Sequence, residues 1–265
     1  MTRLDCPTYL DHIRRESVRF REVLTDTEPA TPVPSCPGWT AADLLFHLGE
    51  VQRWWTHVVT QRPIDPRENY AEPERPVAYD RLLAFFDEWS DRLVGALAAA
   101  DPADECWSWS ADHTVGFVLR RQAHEALIHR LDAELTAGTP TALDPALAAD
   151  GVEECLDLMY GALPPWGAFA PLPHHVEFAM TDVGASVWIQ LGIFSGTSPE
   201  GVERSGEPDL HVVPPPGSEA DAVVSGTAAD LDAWLWHRGD DSGIRVTGDR
   251  DVYARARVVL EQPIT

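Results

Sequence analysis

The sequence predicts an α+β protein: a four-helix bundle over residues 1–140, followed by a smaller α+β domain over 141–265. Two observations carry this expectation. Four long segments with apolar residues at three- and four-residue steps come first, joined by loops that are mostly proline-rich. Beyond about residue 140 the pattern changes to short apolar runs bounded by turn residues, with helical segments among them. A chain of 265 residues can bury such cores without disulfides or a structural metal.

Residues 9–25 read as the first helix, with Leu10, Ile13, Phe20 and Leu24 on one face. TEPATPVPSCPGW is a loop, and Thr40 with Asp43 three residues on is an N-cap opening a helix from about 41 to 60. PIDPRENYAEPERP is the second connector. The third helix spans about 78–99, with Leu82, Phe86, Trp89, Leu93 and Leu97 in one stripe. DPADECWSWSADH is a loop that holds Trp107 and Trp109. The fourth helix covers about 114–137 and stops at Gly138, with Pro140 beyond. After the boundary in GTPTALDP, helix is expected at 145–162. HVEFAM, SVWIQLGIF, LHVV and AVVSG read as strands and ADLDAWLWHRG as helix. GIRVTGD reads as strand and turn, and RDVYARARVVLE as a final helix.

Composition removes whole classes of function. The net charge of −23 opposes binding to nucleic acid or to an anionic membrane surface. All 20 basic residues are Arg, so Schiff-base and pyridoxal chemistry, the Walker A lysine and the kinase lysine are excluded. Cys6, Cys36, Cys106 and Cys155 are far apart, which argues against a zinc ribbon or a thioredoxin motif. No apolar signal segment and no run of 18 apolar residues stands out, so a cytoplasmic protein with reduced thiols is expected. There is no GxSxG and no GxGxxG. The six Trp at 54, 55, 107, 109, 234 and 236 are expected mostly in the core.

The fourth helix carries RRQAHEALIHRLDAEL. Glu125 and His129 are four apart, on one face and one turn apart, and Asp132 follows on roughly the same face. Two such groups at this spacing can share a metal ion. A third ligand must come from another helix, and His47 is the candidate, three residues after Leu44 and four before Val51 on the apolar stripe. A histidine there needs a partner to offset its desolvation. Two readings stay open: a core histidine bonded to a carboxylate, or the third ligand of a His₂Glu site. Such a site suits Zn²⁺ with one coordination position left for water or substrate. Asp43 and Asp132 stand one turn from His47 and His129, placed either to orient the imidazoles or to serve as helix cap and solvated face. His124 points about 100° away from Glu125. HEALIH lacks the four-residue histidine spacing of HExxH, so a thermolysin-type protease is excluded. Cys36 before the Pro37–Gly38 turn reads as an inert thiol rather than a nucleophile.

Three blocks together resemble the mycothiol-dependent maleylpyruvate isomerase family: VPSCPGWTAADLLFHLGEVQRWW, RRQAHEALIHRLDAEL and VSGTAADLDAWLWHRGDDSGIRVTGD. The resemblance implies a DinB-like bundle followed by a sterol-carrier-like α+β domain, with His47, Glu125 and His129 as metal ligands. It implies a contribution to activity from Arg238, with His237 before it where a small residue is common. The implied cofactors are a divalent metal, Zn²⁺ in the first instance, and mycothiol. The implied function is that of an isomerase or thiol S-transferase acting on a small electrophile such as an activated alkene. The rival from another class is a non-catalytic DinB-like protein that binds a metal or ligand. A structural metal alone is the third reading.

Overall fold

A computed structural model describes residues 3–264 of the chain. Residues 4–143 form one compact unit, and residue 3 with residues 144–264 forms the other. The first unit holds α1 (Cys6–Thr25), α2 (Ala41–Gln61), α3 (Tyr79–Ala99) and α4 (Val115–Ala137). α1 packs chiefly on α4, and α2 on α3.

Local chemistry sets the helix ends. Thr40 and Asp43 form a reciprocal capping box, so both open N–H groups of the α2 entry find oxygen acceptors. Gly138 ends α4 in the left-handed region at φ 71°, and its N–H bonds to Leu135 O. The core of this unit is Phe20, Leu24, Leu44, Leu45, Leu48, Leu82 and Phe86, all essentially excluded from water. The α3 stripe is buried as expected at Leu82, Phe86, Leu93 and Leu97. Trp89 is only half-buried and lines a cavity instead.

The second unit contains α5 (Pro145–Glu154), β1 (Gly167–Met180), β2 (Ala185–Thr197), β3 (Glu203–Val213), β4 (Ala222–Gly226), α6 (Ala228–Leu235), β5 (Arg245–Gly248) and α7 (Arg250–Leu260). Its sheet has the order β3-β2-β1-β4-β5, antiparallel except for the β1–β4 pair. Val176, Phe178, Ile189, Leu210, Val224 and Leu231 are fully buried in this unit.

Three differences from the expected elements stand out, and the two in the sheet have physical causes. The helix expected at 145–162 is α-helical only to Glu154 and continues as a π-helical turn over Cys155–Tyr160. β1 starts eight residues before HVEFAM, reaching back through Pro171 and Pro173. β4 pairs only with Val176–Met180 of β1, so both prolines lie where one side of the strand is unpaired and a missing N–H costs little. β3 starts at Glu203 rather than at LHVV. It is an edge strand, and its polar first half keeps that edge solvated.

Candidate metal centre

The fourth helix is buried on nearly every side, so its charged side chains are buried with it: Arg120, Arg121, Arg130, Asp132 and Glu134 among them. Buried charges need partners. Arg130 donates to Glu16 Oε2 at 2.8 Å and to Glu134 Oε2 at 2.9 Å. Arg121 donates from Nη2 to Glu125 Oε2 at 2.9 Å. That bond occupies one oxygen of Glu125 and leaves the other, Oε1, facing two histidines.

The structure brings His47, Glu125 and His129 together. One ligand atom from each lies within 4.8 Å of the others. Glu125 Oε1 is 3.1 Å from His129 Nε2 and 3.6 Å from His47 Nε2. Ligand atoms around a tetrahedral Zn²⁺ with bonds of about 2.0–2.1 Å stand about 3.4 Å apart. The three donors are therefore near coordination spacing, and a His₂Glu set fits a divalent cation. The two imidazole rings meet edge to face, with centroids 4.8 Å apart.

His129 is fixed from behind. Its Nδ1 donates to Asp132 Oδ2 at 2.9 Å, which turns Nε2 toward Glu125. Asp132 is fully buried, and so it is not the solvated residue that was one of its two readings. It accepts from Ser35 Oγ on its other oxygen and from the Cys36 thiol at 3.7 Å. Ser35 and Cys36 reach it because the loop folds back on itself: Val33 N–H bonds to Trp39 O, Ala41 N–H to Thr31 O, and Gly38 takes φ 87°. The same loop places Trp39 against the His47 ring, with centroids 4.8 Å apart. Nothing local in the sequence signals the Ser35–Asp132 contact. Its only trace is that both residues fall in segments that flank the ligands.

Asp43 takes the other of its two readings. Its carboxylate is used by Thr40 and by Arg75, as helix cap and ion pair. His47 lies on the α2 face that meets α4 and keeps about 33% of its side chain exposed, so the centre opens at that ligand while His129 is enclosed.

The electrostatics follow from these contacts. Burial pushes the Glu125 carboxyl up, but bonds from His129 and His47 and the charge of Arg121 outweigh it and hold Glu125 well below the usual carboxylate range. Burial pulls His129 down, yet its bonds to Asp132 and Glu125 raise it to about 9. Without a cation, the proton between His129 and the two carboxylates supplies the positive charge.

Arg238 belongs to the second unit. It follows α6 in a turn where its N–H bonds to Ala233 O and its Nη1 to Trp236 O, both at 2.7 Å. The preceding residue, His237, sits at φ 59°, a left-handed conformation that small residues adopt more easily. Its ring is held by Leu260 O at 2.7 Å and by the Tyr160 hydroxyl at 3.3 Å. Of the six noted Trp, Trp55, Trp234 and Trp236 are buried, Trp54 and Trp107 are half-buried and Trp109 is exposed, so half of them are core.

Comparison with known proteins agrees along the chain. Residues 10–134 match the family model described as the mycothiol maleylpyruvate isomerase N-terminal domain, and residues 146–255 match the model of that family's C-terminal domain. No curated protein matches in sequence. Similar solved structures are the crystal structure of the mycothiol-dependent maleylpyruvate isomerase and that of a histidine-to-alanine mutant of it. Each shares 14% identity at a TM-score of 0.61, covering 92% of this chain and 93% of the other. At that identity the likeness shows the fold. Among the described residues, no helix is long and apolar enough to cross a membrane.

Proposed function

The chain belongs to the mycothiol-dependent maleylpyruvate isomerase family, and from that premise we propose that it is a metal- and mycothiol-dependent enzyme acting on a small electrophile such as an activated alkene. The observation that carries this reading is the convergence of His47, Glu125 and His129 within 4.8 Å. His47, Glu125 and His129 would hold a divalent cation, Zn²⁺ by the nitrogen and oxygen character of the donors, and such a cation would favour the ionised form of a thiol bound to it at neutral pH.

The chain's own groups prepare that chemistry. Arg121 and the two histidines keep Glu125 anionic, so a cation meets a ready carboxylate. Asp132 fixes the His129 tautomer and aims Nε2, and Ser35 fixes Asp132. The exposure of His47 leaves the approach from that side free. Arg238 is assigned to hold a carboxylate of substrate or cofactor through its guanidinium fork. None of the four cysteines forms a disulfide, in keeping with a reducing cytoplasmic setting in which a thiol cofactor stays reduced.

Isomerase and S-transferase share all of these residues and differ in the fate of the thiol, returned in one and consumed in the other. Metal analysis followed by turnover of maleylpyruvate with mycothiol tests the proposal. The expected result is one cation per chain and turnover that requires both metal and thiol. His47→Ala is expected to lose metal stoichiometry and turnover together while remaining folded. Full metal content in that variant places the site elsewhere. An intact, metal-loaded protein that yields neither isomer nor adduct with any electrophile is a binding module.

A further inference from the structure

The first unit holds a second concave site that the metal centre does not use. α2 presents Arg53, His57 and Thr60 at helical spacing on a face turned toward α3, and a cavity of about 470 Å³ lies there. Arg53 is six residues beyond His47. It is displaced roughly 9 Å along the helix and about 120° around it, and none of the three metal ligands lines the cavity.

Its chemistry is that of a clamped, unneutralised cation. The Arg53 guanidinium lies over the Tyr70 ring at 4.7 Å and over the Trp89 ring at 5.1 Å, held between two aromatic faces. Arg53 forms no ion pair among the described residues. Its Nη1 is buried without a hydrogen-bond partner, as is the Tyr70 hydroxyl. The Arg53 guanidinium is close enough to act on the Tyr70 hydroxyl, but neither atom has a partner at full hydrogen-bond geometry, so both have donor capacity left for an acceptor. The neighbouring polar groups do not supply one: Thr56 and Thr60 donate their hydroxyls to Gln52 O and Thr56 O, and Arg92, which also lines the cavity, is paired with Glu88 at 2.9 Å. Glu50 and Glu72 are close enough to act on Tyr70 but do not bond to Arg53. The loop that carries Tyr70 is pinned to α2 by His57 Nε2, which donates to Pro66 O at 3.1 Å. The Tyr70 ring itself is packed against Trp54 and His57, with centroids 4.7 and 5.2 Å apart, so this aromatic wall of the cavity is already in place.

We propose that this cavity is a second small-molecule site, and that its ligand is an aromatic carboxylate whose carboxyl group meets Arg53 and Tyr70 while its ring packs against Trp89. A cation without a counter-ion selects an anion, two orphaned donors select a two-oxygen acceptor, and the aromatic walls select a ring. The volume is within the range of small-molecule pockets and exceeds what an inorganic ion needs.

Titration calorimetry on the metal-loaded full chain tests this with naphthoate, naphthyl methanol, acetate and inorganic phosphate as probes. Saturable binding of naphthoate is expected, with the other three at least roughly tenfold weaker. Arg53→Met keeps a stem between the rings and removes the charge, and Ala96→Phe fills the cavity from α3. Each is expected to weaken naphthoate by roughly tenfold or more, with melting temperature and metal content unchanged. His47→Ala is expected to leave naphthoate binding intact. No binding of naphthoate at millimolar concentration overturns the proposal. So does equal binding of the neutral alcohol or of phosphate, retention of affinity in both cavity variants, or loss of affinity in His47→Ala.

Discussion

α3 and α4 are helices of one bundle and nearly one length, yet they are built on opposite plans. α3 buries four apolar residues in a stripe and gives the rest of its surface to water. α4 is buried almost all round, and the buried set includes three arginines, two histidines, Asp132 and Glu134. A stripe of Leu and Phe stabilises a fold at little risk. A helix with buried charge does so only if every charge is answered, because an unpaired buried ion costs several kcal/mol. On α4 Arg130 is answered by Glu16 and Glu134, Arg121 by Glu125, and His129 by Asp132 and Glu125. On the proposed function, one helix is scaffold and the other carries two of the three proposed metal ligands.

If the division is real, damage to α3 reads out as stability and damage to α4 as metal binding. The largest effect is expected for Phe86→Ala, since Phe86 is buried against Phe20 with ring centroids 5.0 Å apart. Denaturant unfolding is expected to show a loss of about 3–5 kcal/mol. Metal affinity of the remaining folded protein is expected to stay the same, and a parallel loss of affinity would break the comparison. Next is Asp132→Asn, which keeps volume and removes charge behind His129. Competition with a chelator is expected to show metal affinity about 10- to 100-fold weaker. The pH at which His129 gives up its proton is expected to fall with it, a shift that a purely structural role for Asp132 does not produce.

A third effect sharpens the same contrast through pH. His129 holds its proton to about 9 in the metal-free fold, against about 6.5 in an unfolded chain. The protonated imidazole therefore contributes stability that is complete below about 6.5 and is lost as pH rises through about 9. Metal must displace that proton, so apparent affinity is expected to rise by about tenfold per pH unit across the same interval. Calorimetric melting of the metal-free protein and metal titration over this window check both signs. A flat melting curve, or affinity that falls with pH, would show that His129 is neutral before the cation arrives.

Much of this was legible in the sequence. Periodicity and end signals placed α1 to α4 to within about three residues, because a helix is closed by contacts three and four residues apart. The four-residue step from Glu125 to His129 set two ligands on one face for the same reason. Where burial was total the signal weakened: α4 has no single apolar stripe, and its end was read from Gly138 and Pro140. The polar first half of β3 and the proline-bearing start of β1 escaped detection because pairing on one side only relaxes what a strand requires of its residues.

The sequence by itself determined which side chains share a helical face, where the helices begin and end, and that no lysine chemistry operates here. Only the tertiary structure decided that His47 meets the α4 pair, that Asp43 caps its own helix while Asp132 orients His129, and that Ser35 and Cys36 reach across to Asp132. It alone set Arg53 between Tyr70 and Trp89. The reason is range. Backbone hydrogen bonds and side-chain spacing act over a few residues and are written in local order, whereas the contacts of His47 with Glu125, of Ser35 and Cys36 with Asp132 and of Arg53 with its two rings join residues 17 to 97 positions apart, which meet only after whole helices have packed.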